Sequence, residues 1–188
     1  MSSEEVLKLY QELGAIKKGH FILSSKLHSD TYFQSALVLQ YPKYAQLLCK
    51  EIANYFKSYK VSVVVGPALG AIIVAYEVAR FLDCRAIFTE RENGIMKLRR
   101  GFYISEDENV LIVEDVITTG LSTNEVIEVV KSYKGNIVGI GCLVDRSENI
   151  SFNVPFFSLL KVQVKTYEPD NCELCKRNIP IEKPGSRI

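Results

Sequence analysis

The sequence predicts an α/β fold: a doubly wound, mainly parallel sheet in a single domain spanning residues 1–188. Three features carry that expectation. Apolar runs at 61–65, 110–113 and 137–144 show little polar alternation, the mark of strands buried on both faces. Stretches with helical periodicity separate them. Glycine, hydroxyl and charged residues gather just after the runs, at 66–70, 114–123 and 145–146. Those are the strand C-terminal ends, where open α/β sheets bind ligands.

In chain order, residues 2–13 read as a helix. Ser2 and Glu5 have capping-box spacing, Val6, Leu9, Tyr10 and Leu13 form one apolar stripe, and Gly14 ends it. Residues 19–35 read as two short strands about a polar turn and hold both histidines of the chain, His20 and His28. Pro42 opens an amphipathic helix that runs to about residue 57. The strand at 61–65 leads into a tight loop, 66–70, where Gly70 lets the backbone approach a ligand, and into a small-residue helix, 71–82. A plain βα turn is the competing reading of that loop. Residues 84–88 form the next strand. Asn93-Gly94 marks a hairpin turn within 89–102, the most basic stretch of the chain, with Arg91, Lys97, Arg99 and Arg100. The helix at 122–134 has Gly135 as its cap. The strand at 137–144 ends in Asp145-Arg146, and a last strand lies near 159–164. Cys172 and Cys175 make a single Cys-x-x-Cys pair. Zinc needs four ligands, no other cysteine pair is close and no histidine follows, so the pair reads as structural or solvent-facing.

Residues 110–123 hold the chemistry. After the apolar run come two carboxylates, Glu114 and Asp115, then Val116 and Ile117, then the turn Thr118-Thr119-Gly120, then Leu121 and Ser122. Ser122 or Thr123 is placed to cap the following helix. A strand, a tight turn and a helix N-terminus make an anion site from backbone N–H groups and the helix dipole. Two acids beside a phosphate cradle make sense when the ligand also carries vicinal hydroxyls or a cation, as a ribose 5-phosphate does. An ordinary αβ turn using Asp, Thr and Gly is the bland alternative. No Gly-Lys-Ser/Thr follows, so this is not a Walker loop, and there is no Gly-x-Gly-x-x-Gly turn.

The whole 110–123 string closely resembles the 5-phosphoribosyl 1-diphosphate (PRPP) signature of type I phosphoribosyltransferases. Phe21, Leu23, Ser25, Ser29, Tyr32 and Phe33 fall on a pattern of the orotate phosphoribosyltransferases within that family. The resemblance covers most of residues 14–150 and implies a small N-terminal hood, about 1–40, and a C-terminal extension, about 165–188. It implies PRPP contacts from Glu114 through Ser122 and from Leu69 and Gly70. Orotate contacts fall on Tyr32, Phe33, Thr118 and Arg146, the last a residue suited to planar bidentate recognition. Asp115, Arg91, Lys97, Arg99 and Arg100 take catalytic roles, the four basic residues on a mobile 91–100 lid shared across a homodimer. Mg²⁺ is expected to ride on PRPP, with no metal site in the protein itself. Three departures stand out. Ser24 occupies a place where many relatives have a ligand-contacting lysine, with Lys26 two residues on, Gly70 stands where the family's pyrophosphate-side loop often has a lysine, and the lid lacks a histidine common in the family.

Composition agrees. Net charge is +1, apolar content is 47% and charged content 24%. These values argue against a nucleic-acid or membrane-surface binder. No apolar run approaches a membrane span, and the acidic start, with Glu4 and Glu5, is unlike a signal peptide. Five scattered cysteines fit reduced thiols in a cytoplasmic protein. The expected reaction is transfer of the phosphoribosyl group from PRPP to orotate. A purine-base phosphoribosyltransferase and a non-catalytic PRPP sensor are the alternatives.

Overall fold

The computed structural model describes residues 1–23, 25–148 and 150–184. Helix α1 (Ser3–Glu12) begins with a complete capping box between Ser2 and Glu5 and buries Val6 and Tyr10. Strands β1 (Ile16–Ile22) and β2 (His28–Phe33) form an antiparallel hairpin. A single turn, α2 (Ala36–Leu39), leads into α3 (Pro42–Phe56), where Pro42 occupies the first turn and no N–H is missed. Strand β3 (Val63–Pro67), helix α4 (Gly70–Leu82) and strand β4 (Arg85–Glu92) make one βαβ unit, and β5 (Ile95–Leu98) folds back along β4. Strand β6 (Asn109–Ile117), helix α5 (Leu121–Ser132) and strand β7 (Asn136–Asp145) make a second. β8 (Phe156–Lys161), β9 (Thr166–Tyr167) and the one-turn α6 (Glu173–Lys176) follow.

The large sheet runs β5-β4-β3-β6-β7-β8, parallel throughout except for the β4–β5 edge. Side chains alternate across it, as strand geometry requires. Val64, Leu111, Val113 and Leu143 pack with α1, α3 and α4. Val63, Val65, Val110, Ile112 and Ile140 pack with Val126 and Val130 of α5. β3 and β6 lie side by side, yet the chain leaves them toward opposite edges of the sheet. A crevice opens at such a switch point.

A second sheet, β1-β2-β9, forms the hood. Its third strand comes from the far end of the chain: Ser29 pairs with Thr166 and His28 with Tyr167. This return gives the cysteine pair neighbours that its local sequence does not show. Cys172 is buried, and both cysteines lie against His20 and His28, which precede them in sequence by more than a hundred positions.

Other expectations shift locally. Helix α5 starts at Leu121 behind a left-handed Gly120 with no side-chain cap, so neither Ser122 nor Thr123 serves as one. At its other end Lys134 takes the left-handed conformation. Gly135 is needed for space instead, since a Cβ there would stand 2.8 Å from Ile104 Cγ2. β4 runs on to Glu92 because β5 pairs with its far half, and β8 begins earlier than expected, at Phe156.

Helix α3 rests directly on the backbone of β7. A Cβ on Gly139 would run into the Phe56 ring, and one on Gly141 would meet Ile52 Cγ2 at 2.7 Å. Gly139→Ala therefore overpacks this face, at about 1–3 kcal/mol. A thermal midpoint lower by about 2–10 °C is the expected result. An unchanged midpoint would show that α3 does not sit this close.

Candidate active site

The crevice at the β3–β6 junction is a cleft of about 1070 Å³. Its floor is the end of β6, its flanks are the 67–70 loop and the start of α5, and its roof is the hood. Pro184, from the C-terminal segment, also reaches it.

Glu114 to Ser122 line the cleft without a break. The helix α5 presents its amino end there, preceded by Gly120 at φ 72°. Gly120 is required twice over: its φ is left-handed, and a Cβ would strike Ile150. The uncapped helix start and its dipole suit an anion.

Glu114 is buried, and Asp115 keeps a little exposed surface. Burial raises the Asp115 carboxyl above the usual carboxylate range, opposed by hydrogen bonding to Glu114 and to the Val116 backbone. Across the cleft, Gly70 opens α4, and a Cβ on it would collide with the Asp115 carboxylate. Gly70 therefore makes room for an acid, whereas the sequence suggested room for a ligand. Leu69, joined to Ala68 by a cis peptide, projects beside it and is 69% exposed.

The hood supplies the opposite wall. Tyr32 and Phe33 both line the cleft, but strand alternation gives them different jobs. Phe33 is buried against Tyr10, with the Arg146 guanidinium 5.6 Å from its ring centre. Tyr32 packs on Phe21, and burial raises its hydroxyl, helped by the charge of Asp115. Arg146 Nη2 donates to Thr31 O at 3.0 Å and to Ser29 Oγ at 3.2 Å. Arg146 Nε is buried with no hydrogen-bond partner. Burial lowers the guanidinium to about 10, with Tyr32 and Asp30 holding it up, so it stays cationic near neutral pH. A buried, charged, unmatched N–H at a cleft wall asks for an anionic or carbonyl partner. The preceding Asp145 is consumed structurally, accepting from Ser147 N at 2.8 Å and Ser147 Oγ at 2.6 Å, with Lys161 Nζ 3.3 Å away.

The basic stretch forms the β4–β5 hairpin, turning on Asn93 and Gly94, both at positive φ. Register separates its charges. Arg91 pairs with Met96 on the face toward the cleft, and both line it. Arg91 makes a two-pronged bond to Glu125, a residue one turn into α5 that the sequence does not advertise. Lys97, Arg99 and Arg100 do not line this cleft and are matched by glutamates of β4. Lys97 Nζ is 2.9 Å from Glu92, Arg99 Nη2 is 3.1 Å from Glu92, and Arg100 Nη2 donates to Glu90 at 3.0 Å. Lys97 and Arg99 hold the Glu92 carboxylate below its usual range. Lys26 is exposed at φ 70° and away from the cleft, and Ser24 lies outside the described residues.

A strand-end acid pair, a glycine turn into an uncapped helix start and a hood over the cleft are the features of this α/β domain that the comparisons with known proteins place. A family model described as "Phosphoribosyl transferase domain" matches residues 38–163, and the chain belongs to that family. It is 56% identical to an orotate phosphoribosyltransferase of a Thermoanaerobacter species, over 100% of this chain and 99% of the relative. The same identity and coverage hold for one from Caldanaerobacter subterraneus. The crystal structure of orotate phosphoribosyltransferase from Aeropyrum pernix matches with a TM-score of 0.70 at 25% identity, over 84% of this chain and 93% of that one. Within the family, the chain stands with the orotate phosphoribosyltransferases.

The raised Asp115 carboxyl gives a prediction with a sign. A carboxyl whose folded value lies above its unfolded one favours folding when protonated, and that contribution is lost as pH rises. Asp115→Asn removes the buried charge, so its thermal midpoint at neutral pH should equal or exceed that of the parent. Turnover should fall about 10- to 100-fold, the worth of a charge-assisted contact. Calorimetry and pyrophosphate-release rates on the same preparation check both halves.

Proposed function

We propose that this cleft transfers the 5-phosphoribosyl group of PRPP to orotate, giving orotidine 5′-phosphate and pyrophosphate in pyrimidine synthesis. One observation carries the choice of base. Arg146 brings a buried, unpartnered Nε–H to the cleft wall beside Tyr32. Orotate has a carboxylate and ring carbonyls to match it. Hypoxanthine and adenine have no carboxylate, and neither has uracil.

The turn from Thr118 to Ser122 holds the 5-phosphate, and Glu114 and Asp115 take the ribose hydroxyls, with Val116 and Ile117 joining the two. Leu69 and Gly70 border the pyrophosphate. Thr118 and Arg146 hold orotate under Tyr32, with Phe33 supporting Arg146 from behind. The ring nitrogen of orotate bonds to the anomeric carbon as the bond to pyrophosphate breaks, and the proton it gives up passes to water or to the departing pyrophosphate. The transition state is oxocarbenium-like, so positioning and charge supply most of the rate.

Mg²⁺ fits this cleft. It would ride on the phosphates and ribose hydroxyls of PRPP, and Glu114 and Asp115 offer hard carboxylate oxygens beside which such an ion would be favoured. When bound, it neutralises charge gathering on the leaving pyrophosphate.

The working unit is a homodimer in which the 91–100 hairpin closes over the neighbour's cleft. Lys97, Arg99 and Arg100 are turned from their own cleft, which leaves them to serve a two-fold partner. The setting is the cytoplasm, in keeping with free thiols and soluble substrates. Among the described residues no helix is long and apolar enough to cross a membrane.

A base screen with PRPP tests the reading. Pyrophosphate release should require orotate and fail with uracil, hypoxanthine and adenine. Release with a purine instead would overturn it. In Arg146→Ala the KM for orotate should rise about 10- to 100-fold while PRPP binding holds steady, because a charge-assisted contact is lost on the base side alone.

The dimer is checked by complementation. Lys97→Ala and Asp115→Asn proteins, each weak alone, are mixed under conditions of subunit exchange. Half the dimers are hybrids with one intact site, so about a quarter of parental activity should return. No recovery with exchange confirmed would mean that Lys97 does not act on the neighbouring site.

A further inference from the structure

Away from the cleft, the fold gathers four ligand-type side chains from its two ends. His20 lies in β1, His28 opens β2, Cys172 caps the start of α6 and Cys175 lies within it. Their ligand atoms all lie within 4.8 Å of one another. His20 Nε2 is 3.0 Å from His28 Nδ1, 3.6 Å from Cys172 Sγ and 3.8 Å from Cys175 Sγ. His28 Nδ1 is 3.4 Å from Cys175 Sγ. A tetrahedral zinc site with Zn–N of ~2.0–2.1 Å and Zn–S of ~2.3 Å sets nitrogens ~3.3 Å apart and nitrogen–sulfur pairs ~3.6 Å apart. The observed separations lie within a few tenths of an ångström of these.

The surroundings point the same way. His20, His28 and Cys172 are buried, at 2%, 7% and 1% exposure. His20 Nδ1 lies 2.8 Å from the carbonyl oxygen of Ile179. A carbonyl only accepts, so Nδ1 carries the proton and Nε2 turns its lone pair into the cluster. Metal-bound histidines are oriented in this way by their outer nitrogen. The C-terminal segment also has little else to hold it. It is mostly exposed from Glu168 to Glu182, and α6 is a single turn, too short to stand on its own. Among the described residues it is also tied by backbone bonds: Glu182 N donates to His20 O at 2.8 Å, and Ile22 N donates to Glu182 O at 2.9 Å.

We propose that His20, His28, Cys172 and Cys175 bind one Zn²⁺ tetrahedrally, and that the ion fastens the C-terminal segment to the hood. Two thiolates and two imidazoles suit zinc, and four protein ligands with no open position mark a structural site. The role is thus separate from the chemistry of the cleft. The ion contributes to stability by holding together segments that bury little apolar surface.

The test uses the full chain purified under reducing conditions without chelator. Elemental analysis should find about one zinc per chain, as a single four-ligand site requires. Zinc removed by dipicolinate and replaced by Co²⁺ should give a thiolate-to-cobalt charge-transfer band and intense tetrahedral ligand-field bands. Cys175→Ser alters the one exposed ligand and is the variant least disturbing to packing. It should lose the cobalt charge-transfer intensity in part and weaken zinc affinity at least about tenfold. Zinc should raise the thermal midpoint of the parent chain and leave that of Cys175→Ser little changed. The proposal fails if the parent takes up no stoichiometric zinc or cobalt, a result that needs no variant to fold. It fails equally if Cys175→Ser binds metal like the parent, if zinc leaves the parent's midpoint unmoved, or if Cys172 and Cys175 are found joined in a disulfide.

Discussion

The cleft depends on how closely α4 can descend onto the end of β6. Gly66 and Gly70 set that approach. A Cβ on Gly66 would stand 2.9 Å from the Ala71 carbonyl and 3.0 Å from that of Val113, and one on Gly70 would collide with the Asp115 carboxylate. With both side chains absent, the 67–70 loop and the acid pair share one floor. The arrangement holds Asp115 where burial disfavours its charge. Sites built for reaction commonly carry such local cost, and the broad two-faced core around β3 and β6 offsets it.

Charge in the lid hairpin is balanced locally. Glu90, Glu92 and Glu125 each face one or more of its basic residues. Exposed ion pairs of this kind stabilise a fold by about 0–1 kcal/mol, so stability does not account for them. What they do is fix geometry: each guanidinium or ammonium is held in place by a carboxylate of β4 or α5. Arg91, bonded at once to Glu125 and to the Gly94 carbonyl, is the member nearest the cleft.

What the sequence made legible was whatever is encoded locally. The β6 strand, its acid pair and the turn to Gly120 are consecutive, and the structure keeps them consecutive along one wall. The doubly wound sheet was readable from unbroken apolar runs, because a strand covered on both faces leaves no room for polar alternation. The gaps that matter for the site and the hood are long-range. Nothing near Cys172 announces that β9 will carry it back to His20 and His28. Nothing near Arg91 announces Glu125, because pairing across β5 and α5 depends on the rotation of a helix. Gly135 does help close α5, its N–H donating to Val130 O at 3.1 Å, but the left-handed position falls on Lys134, and the lack of a side chain at Gly135 serves the space beside Ile104 and Val130.

The hood has a consequence for the order in which the molecule is made. Its sheet unites strands from opposite ends of the chain, and Ser29 Oγ donates to Lys165 O across 136 positions. Closing so large a loop is slow, and it cannot begin on the ribosome until β9 has emerged. The large parallel sheet has all its strands by then, since β8 precedes β9. The roof of the cleft is thus the last piece assembled on a nascent chain, and until then Tyr32 and Arg146 lack their final frame. A chain stalled late in translation would hold a nearly finished sheet over which the hood is still open, the form most exposed to proteases and to pairing with the free edge of another β2.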